Sequence, residues 1–211
     1  MQLSRKCTDP AFAGFLLRAG AWASKSREEA PRARPSNAHG PNEFLHLDLT
    51  LSASGAVFSK CRRWRYLLWR RWDEKRPAAN FLMLNPSTAD EVKLDPSCTR
   101  ARDYALRWGF GGLLVTNIFA WRATDPVEMK AARDPVGRGN DRAILRAARE
   151  AAIVVCAWGN HGTHMNRSLN VLRNLRGAGL GLHVLRMNGS GEPAHPLYLP
   201  ATLEPGRWRA K

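Results

Sequence analysis

Long hydrophobic runs are missing from this 211-residue chain. No apolar stretch approaches the roughly 20 residues a helix needs to cross a bilayer, so a soluble, cytoplasmic protein is expected. The start of the chain imitates a signal peptide only faintly, because Arg18 interrupts the apolar part of residues 11–23. Cysteine is scarce and scattered: Cys7, Cys61, Cys98 and Cys156 include no CxxC pair. That excludes a disulfide framework of regular spacing. His161 and His164 are near neighbours without a cysteine or carboxylate beside them, so neither a metal nor another cofactor is expected. Acidic residues are also short, 18 Asp and Glu against 33 Lys and Arg, which gives a net charge of +15. Such a balance suits a polyanionic partner or a solvated, arginine-rich surface.

What is present divides unevenly along the chain. Residues 24–43 are rich in Arg, Glu, Ala, Pro, Ser and Asn and have little to bury, so they cannot offset the entropy of ordering. A short helix is conceivable over residues 12–22. The expected organisation is an N-terminal extension at 1–50, largely disordered, one α/β domain at 51–205 and a basic tail at 206–211. A monomer is expected.

The informative stretch is Phe81-Leu82-Met83-Leu84-Asn85-Pro86-Ser87-Thr88-Ala89-Asp90. Its apolar run breaks into small polar residues, and proline forces extended backbone at Asn85, which favours a strand delivering a loop. Asp95-Pro96 then reads as an N-cap with proline in the first turn of a helix running to Trp108. Further strands are expected at residues 113–117, 153–158 and 183–187. Helices between them carry Ala101, Tyr104, Ala105 and Trp108, then Ile144, Leu145, Ala148 and Ala151, then Leu169, Leu172 and Leu175. Asn140 is the expected cap of the second of these helices. Strand and helix alternation predicts a three-layer α/β/α sandwich with a central, mainly parallel four-stranded sheet. An antiparallel strand pair, residues 57–59 and 64–69, precedes it.

Between residues 60 and 76 lie eight basic residues, interleaved with Trp64, Tyr66, Trp69 and Trp72. Basic residues with aromatics between them suit phosphates and exposed bases, which makes Arg62, Arg63, Arg70 and Arg71 candidate contacts to a nucleic-acid backbone. Alternation through Trp64, Tyr66 and Leu68 equally suits a half-buried strand. Both readings stand on the sequence.

Each central strand ends in a polar cluster: Asn85, Asn117, Gly159-Asn160-His161 and His195. A parallel sheet would bring these ends to one rim, where open α/β sheets bind ligands. Asn offers a base edge both an acceptor and a donor, and His can donate to a developing anion. Asn85 and Asn117 could equally cap strand-to-helix turns, and His195 could pack a loop.

The motif order Leu-Asn-Pro-Ser-Thr-Ala-Asp, Thr-Asn-Ile-Phe-Ala-Trp-Arg, Gly-Arg-Gly-Asn-Asp, Ala-Trp-Gly and Gly-Glu-Pro-Ala-His-Pro-Leu-Tyr resembles domain of unknown function family 1643 of bacteria and phages. That resemblance implies no established activity. The same order is similar to the uracil-DNA glycosylase superfamily, through Asn85-Pro86, Thr116-Asn117, Trp121-Arg122, Trp158-Gly159 and His195-Pro196. The second resemblance implies a glycosylase-like fold in which His195 stabilises a departing base, Asn85 positions water and Asn117 reads the base edge. Ser87, Thr88, Asp90, Arg122, Asn160 and Tyr198 complete the expected ligand site. Asn85 stands where the strongest members carry a carboxylate, and Leu197 and Tyr198 follow His195-Pro196 where the superfamily has serine and proline. The expected function is therefore recognition of a base or nucleotide, with slow N-glycosidic hydrolysis on nucleic acid. A non-enzymatic nucleic-acid-binding module, or a hydrolase or transferase of free nucleotides, are the alternatives.

Overall fold

The computed structural model describes residues 53–209. The expected disordered extension, the helix at 12–22 and Cys7 lie outside the described residues. Among the described residues, seven strands form one mixed sheet in the order β1-β2-β4-β3-β5-β6-β7. The strands are β1 (Ser54–Phe58), β2 (Arg65–Arg71), β3 (Ala78–Met83), β4 (Gly112–Asn117), β5 (Ile153–Cys156), β6 (Leu182–Val184) and β7 (Gly206–Arg207). β3 pairs in parallel with β4 and β5, and β5 pairs in parallel with β6. The β1–β2, β2–β4 and β6–β7 pairs are antiparallel.

The sheet is thus wider than four strands and mixed rather than mainly parallel. β2 is not half of a separate hairpin, because Arg65 through Trp69 are all buried. A strand covered on both faces belongs inside a sheet, and β2 joins the parallel strands by pairing Leu68 with Val115 and Arg71 with Gly112. At the opposite edge the expected basic tail enters the sheet with its first two residues. Gly206 and Arg207 pair with Val184 and His183, and Trp208 packs against the apolar layer behind them.

Helices cover both faces. α1 (Pro96–Arg107) starts where expected: the Asp95 side chain accepts a hydrogen bond from the Cys98 N–H, and proline occupies the first turn. Its Ala101 and Tyr104 join Phe81, Met83, Leu113 and Val115 on one face, where Phe81 stacks with Trp108 at 5.7 Å between ring centroids. Leu82, Ile118, Val154 and Cys156 face the other way, toward Met129 of α2 (Pro126–Ala131), Ile144 of α3 (Asn140–Glu150) and Leu175 of α4 (Arg167–Gly177).

Two buried polar side chains set register and connection. Asn80, wholly inside β3, donates to Leu114 O (3.3 Å) and Thr116 Oγ1 (3.1 Å) of β4. Leaving those groups unpaired would cost about 1–3 kcal/mol each, so β3 and β4 resist slipping. Asn140 does not cap α3. Gly139 does, in the left-handed conformation at φ 87°, and Asn140 instead donates to Asn117 O (2.9 Å) and Ile118 O (3.2 Å). This ties the start of α3 to the end of β4.

Candidate functional site

Parallel pairing puts Met83 level with Asn117, and Leu82 level with Cys156. The loops after β3, β4 and β5 therefore leave the sheet at one rim. The first two are bonded to each other. Ile118 N–H donates to Met83 O, Phe119 N–H to Leu84 O and Ala123 N–H to Pro86 O. Asn85 completes the seam, its Nδ2 donating to Ala123 O (2.7 Å) and Pro86 O (3.1 Å). With both amide hydrogens so used, Oδ1 is the end of Asn85 left for a ligand or water.

Asn117 lies deeper, at 1% exposure. Its Oδ1 accepts from Nη2 of Arg65 (3.2 Å), while its Nδ2 has no partner. Arg65 is equally buried, donates from Nη1 to Ala89 O (3.0 Å) and has an unpartnered Nε. Among the described residues it makes no ion pair within 4.0 Å.

The third loop turns at Gly159, whose φ of 72° favours glycine. A Cβ there would stand 3.6 Å from Cβ of His195, so the two segments run side by side. His195 is half-buried and caps a short 3₁₀ turn, Pro196–Tyr198, its Nδ1 accepting from Leu197 N–H at 3.4 Å. That bond leaves the proton of the neutral ring on Nε2. Burial pushes the imidazole pKa below the ordinary histidine value, against a smaller upward pull from Asp95, the α1 cap. Asp95 and Arg65 both act on the Cys98 thiol, which burial pushes up to about 12.

The other expected site residues are placed as follows. Ser87 Oγ meets Thr124 Oγ1 at 3.3 Å, and Thr88 is exposed. Asp90 turns its Oδ1 to the Val92 and Lys93 N–H groups, which hold its pKa low. Arg122 donates to Ser87 O (3.4 Å) and Arg62 O (3.2 Å). Asn160 accepts from Asn188 Nδ2 (2.6 Å) and Ser190 Oγ (2.8 Å), and Tyr198 is 85% exposed.

The four candidate backbone-binding arginines come from two segments, and Arg62 and Arg70 both reach the turn at residues 90–91. Arg62 and Arg63 lie in the turn before β2, whereas Arg70 and Arg71 end that strand. Arg62 is bidentate to Glu91 (2.8 and 2.9 Å), and Arg63 lies over Trp121. Arg70 donates to Trp69 O and Asp90 O, and Arg71 to Glu74 O. Of the aromatics between them, Tyr66 and Trp69 are buried in the core, and Trp64 is half-buried.

Sequence reasoning missed Arg65, Thr124 and Glu192. Glu192 is buried and accepts from Trp158 Nε1 (2.5 Å) and Ser168 Oγ (2.9 Å), joining β5's exit, α4 and the loop that carries His195. Its place three residues before His195 was the available signal. Among the described residues no group of three or more His, Cys, Asp or Glu could hold a metal ion, and no helix is long and apolar enough to cross a membrane.

A family model described as "Protein of unknown function (DUF1643)" matches residues 65–197. The chain belongs to this family. The matched span opens on Arg65 and closes just past His195, so it takes in the whole rim. No curated protein and no solved structure matches the chain.

Proposed function

We propose that this DUF1643 protein recognises a base or nucleotide at the carboxyl-end rim of a glycosylase-like sheet and slowly hydrolyses an N-glycosidic bond in nucleic acid. The observation that carries this reading is the state of His195. Its Nδ1 is occupied by the Leu197 N–H, and burial disfavours the imidazolium. What remains near neutral pH is a neutral ring with an Nε2–H donor, suited to a base that leaves as an anion. Asn85 Oδ1 would orient the attacking water. As the bond breaks, its electron pair goes to the base, and water supplies hydroxyl to the sugar and a proton to the products. Asn117 would read the base edge through its free Nδ2. The net charge of +15 supports a polyanionic carrier of that base.

A specific observation favours a second reading, a binding module without chemistry. Asn85 is no base, and its amide is spent on Pro86 O and Ala123 O. General-base help worth roughly 10²–10⁴-fold is then missing. The test is release of free base by the full chain from single-stranded oligonucleotides containing uracil, hypoxanthine or alkylated bases, with the free nucleotides in parallel. Slow release from the oligonucleotides is expected. Retained binding with no release from any substrate would leave the binding module, and release from free nucleotides alone would point to nucleotide hydrolysis.

A further inference from the structure

Arg122 is a cation held in place on backbone carbonyls. Its backbone N–H is fixed on Arg63 O (2.9 Å), its Nε and Nη1 donate to carbonyls of Ser87 and Arg62, and its guanidinium lies 5.0 Å from the Phe58 ring centroid. Among the described residues it makes no ion pair within 4.0 Å. A guanidinium has five N–H donors, so three remain after these two bonds. Of the two carboxylates whose charge reaches it, Glu91 already has both oxygens on Arg62, and Asp90 turns its Oδ1 to the Val92 and Lys93 N–H groups.

Beside this guanidinium, two hydroxyls from different loops meet. Ser87 Oγ and Thr124 Oγ1 stand 3.3 Å apart, and one mutual bond leaves the second O–H free to donate outward. Their loops are locked by the Ala123 N–H to Pro86 O bond and by Asn85. The donors are therefore preorganised rather than recruited. Arg65, whose charge acts on Arg122, is buried and makes no ion pair among the described residues, and its Nε and the Asn117 Nδ2 both lack partners. Arg65 and Arg62 act on Arg122 more strongly than Asp90 and Glu91 do, so repulsion adds to burial in lowering its pKa. A bound anion would relieve both.

We infer that the rim holds a phosphate group, with the Arg122 guanidinium and the Ser87 and Thr124 hydroxyls as its donors. A planar fork flanked by hydroxyls matches several phosphate oxygens at once. That this phosphate belongs to a nucleotide or a nucleic-acid strand rests on the function proposed above; the anion site itself does not.

Calorimetry at constant ionic strength tests it with inorganic phosphate, nucleosides, their 5′-monophosphates, and oligonucleotides with and without a 5′-phosphate. The wild type is expected to bind inorganic phosphate, and to prefer each monophosphate over its nucleoside by roughly tenfold. Arg122→Gln should remove that preference and leave nucleoside affinity unchanged. Thr124→Val, at an exposed position, should weaken phosphate binding several-fold without altering the melting temperature. A preference for the 5′-phosphorylated oligonucleotide would assign a strand end, and tight binding only of mononucleotides a free nucleotide. Failure of the wild type to bind inorganic phosphate, or equal phosphate affinity in wild type, Arg122→Gln and Thr124→Val, would overturn the inference. Arg122-dependent binding of inorganic phosphate with no binding of nucleosides, nucleotides or oligonucleotides would sustain it while removing the nucleotide reading.

Discussion

Replacing His195 with alanine should cut base release by about a hundredfold to a thousandfold, because one well-placed donor to a developing anion is worth about 3 kcal/mol. Affinity for the oligonucleotide should change little, since the contact strengthens only as the base departs. Single-turnover release and equilibrium binding, measured on the same substrate, separate the two effects. A parallel fall in both would make His195 a ground-state contact. The pH profile carries a second signature. The folded-state pKa lies below the ordinary 6.5, so the neutral ring persists as pH falls through that value. Release should hold steady there and fail only at the lower folded-state pKa. Stability has the same sign: the unfolded chain takes up the proton first, so the contribution of a neutral His195 is present above about pH 6.5 and is lost as pH falls toward the folded value.

Glu192→Ala is expected to have the largest effect on stability. It strands the Trp158 indole N–H and the Ser168 hydroxyl, both buried, each of which donates to a different carboxylate oxygen. Hydrogen bonds to charged groups are worth about 1.5–3 kcal/mol each, so a loss of roughly 3–6 kcal/mol follows. Glu192→Gln should cost less, because its carbonyl keeps one acceptor while its amide N–H₂ confronts the other donor. Urea midpoints at unchanged slope give the comparison. Loss of under about 1 kcal/mol for alanine would mean the two donors find other partners. Function should suffer too, since the residue after Glu192 accepts from Gly159 N–H at 2.8 Å and so sets the His195 loop against the β5 exit. The space is full there: a Cβ on Gly162 would fall 2.2 Å from Trp158 Cδ1.

What the sequence made legible is local. The Asp95-Pro96 start of α1, the apolar runs of β3, β4 and β5 and their polar exits follow from capping chemistry and from strands buried on both faces. Once those strands pair in parallel, the meeting of the Asn85, Asn117 and Gly159 loops needs no further information. The rest depends on partners distant in the chain. Arg65 meets Asn117 across 52 positions, and Glu192 meets Trp158 across 34, so neither pairing leaves a spacing to read. β2 read as half-buried because alternation through Trp64, Tyr66 and Leu68 marks only one apolar face, while residues 65–69 are buried on both. β7 is two residues long and has no periodicity to find. Asn140 misled by type: its amide serves the end of β4, and the cap falls to Gly139, one residue earlier.

The central claim, a neutral His195 whose Nε2–H meets the base, is most directly tested by ¹⁵N-resolved NMR of the imidazole, titrated with the substrate oligonucleotide. The free protein at pH 7 should show a neutral Nε2–H ring with a pKa below 6.5. Adding ligand should move the Nε2 resonance while Nδ1, held by Leu197, stays in place. An imidazolium at neutral pH, an Nδ1–H tautomer, or an Nε2 signal that saturating ligand leaves unmoved would contradict it.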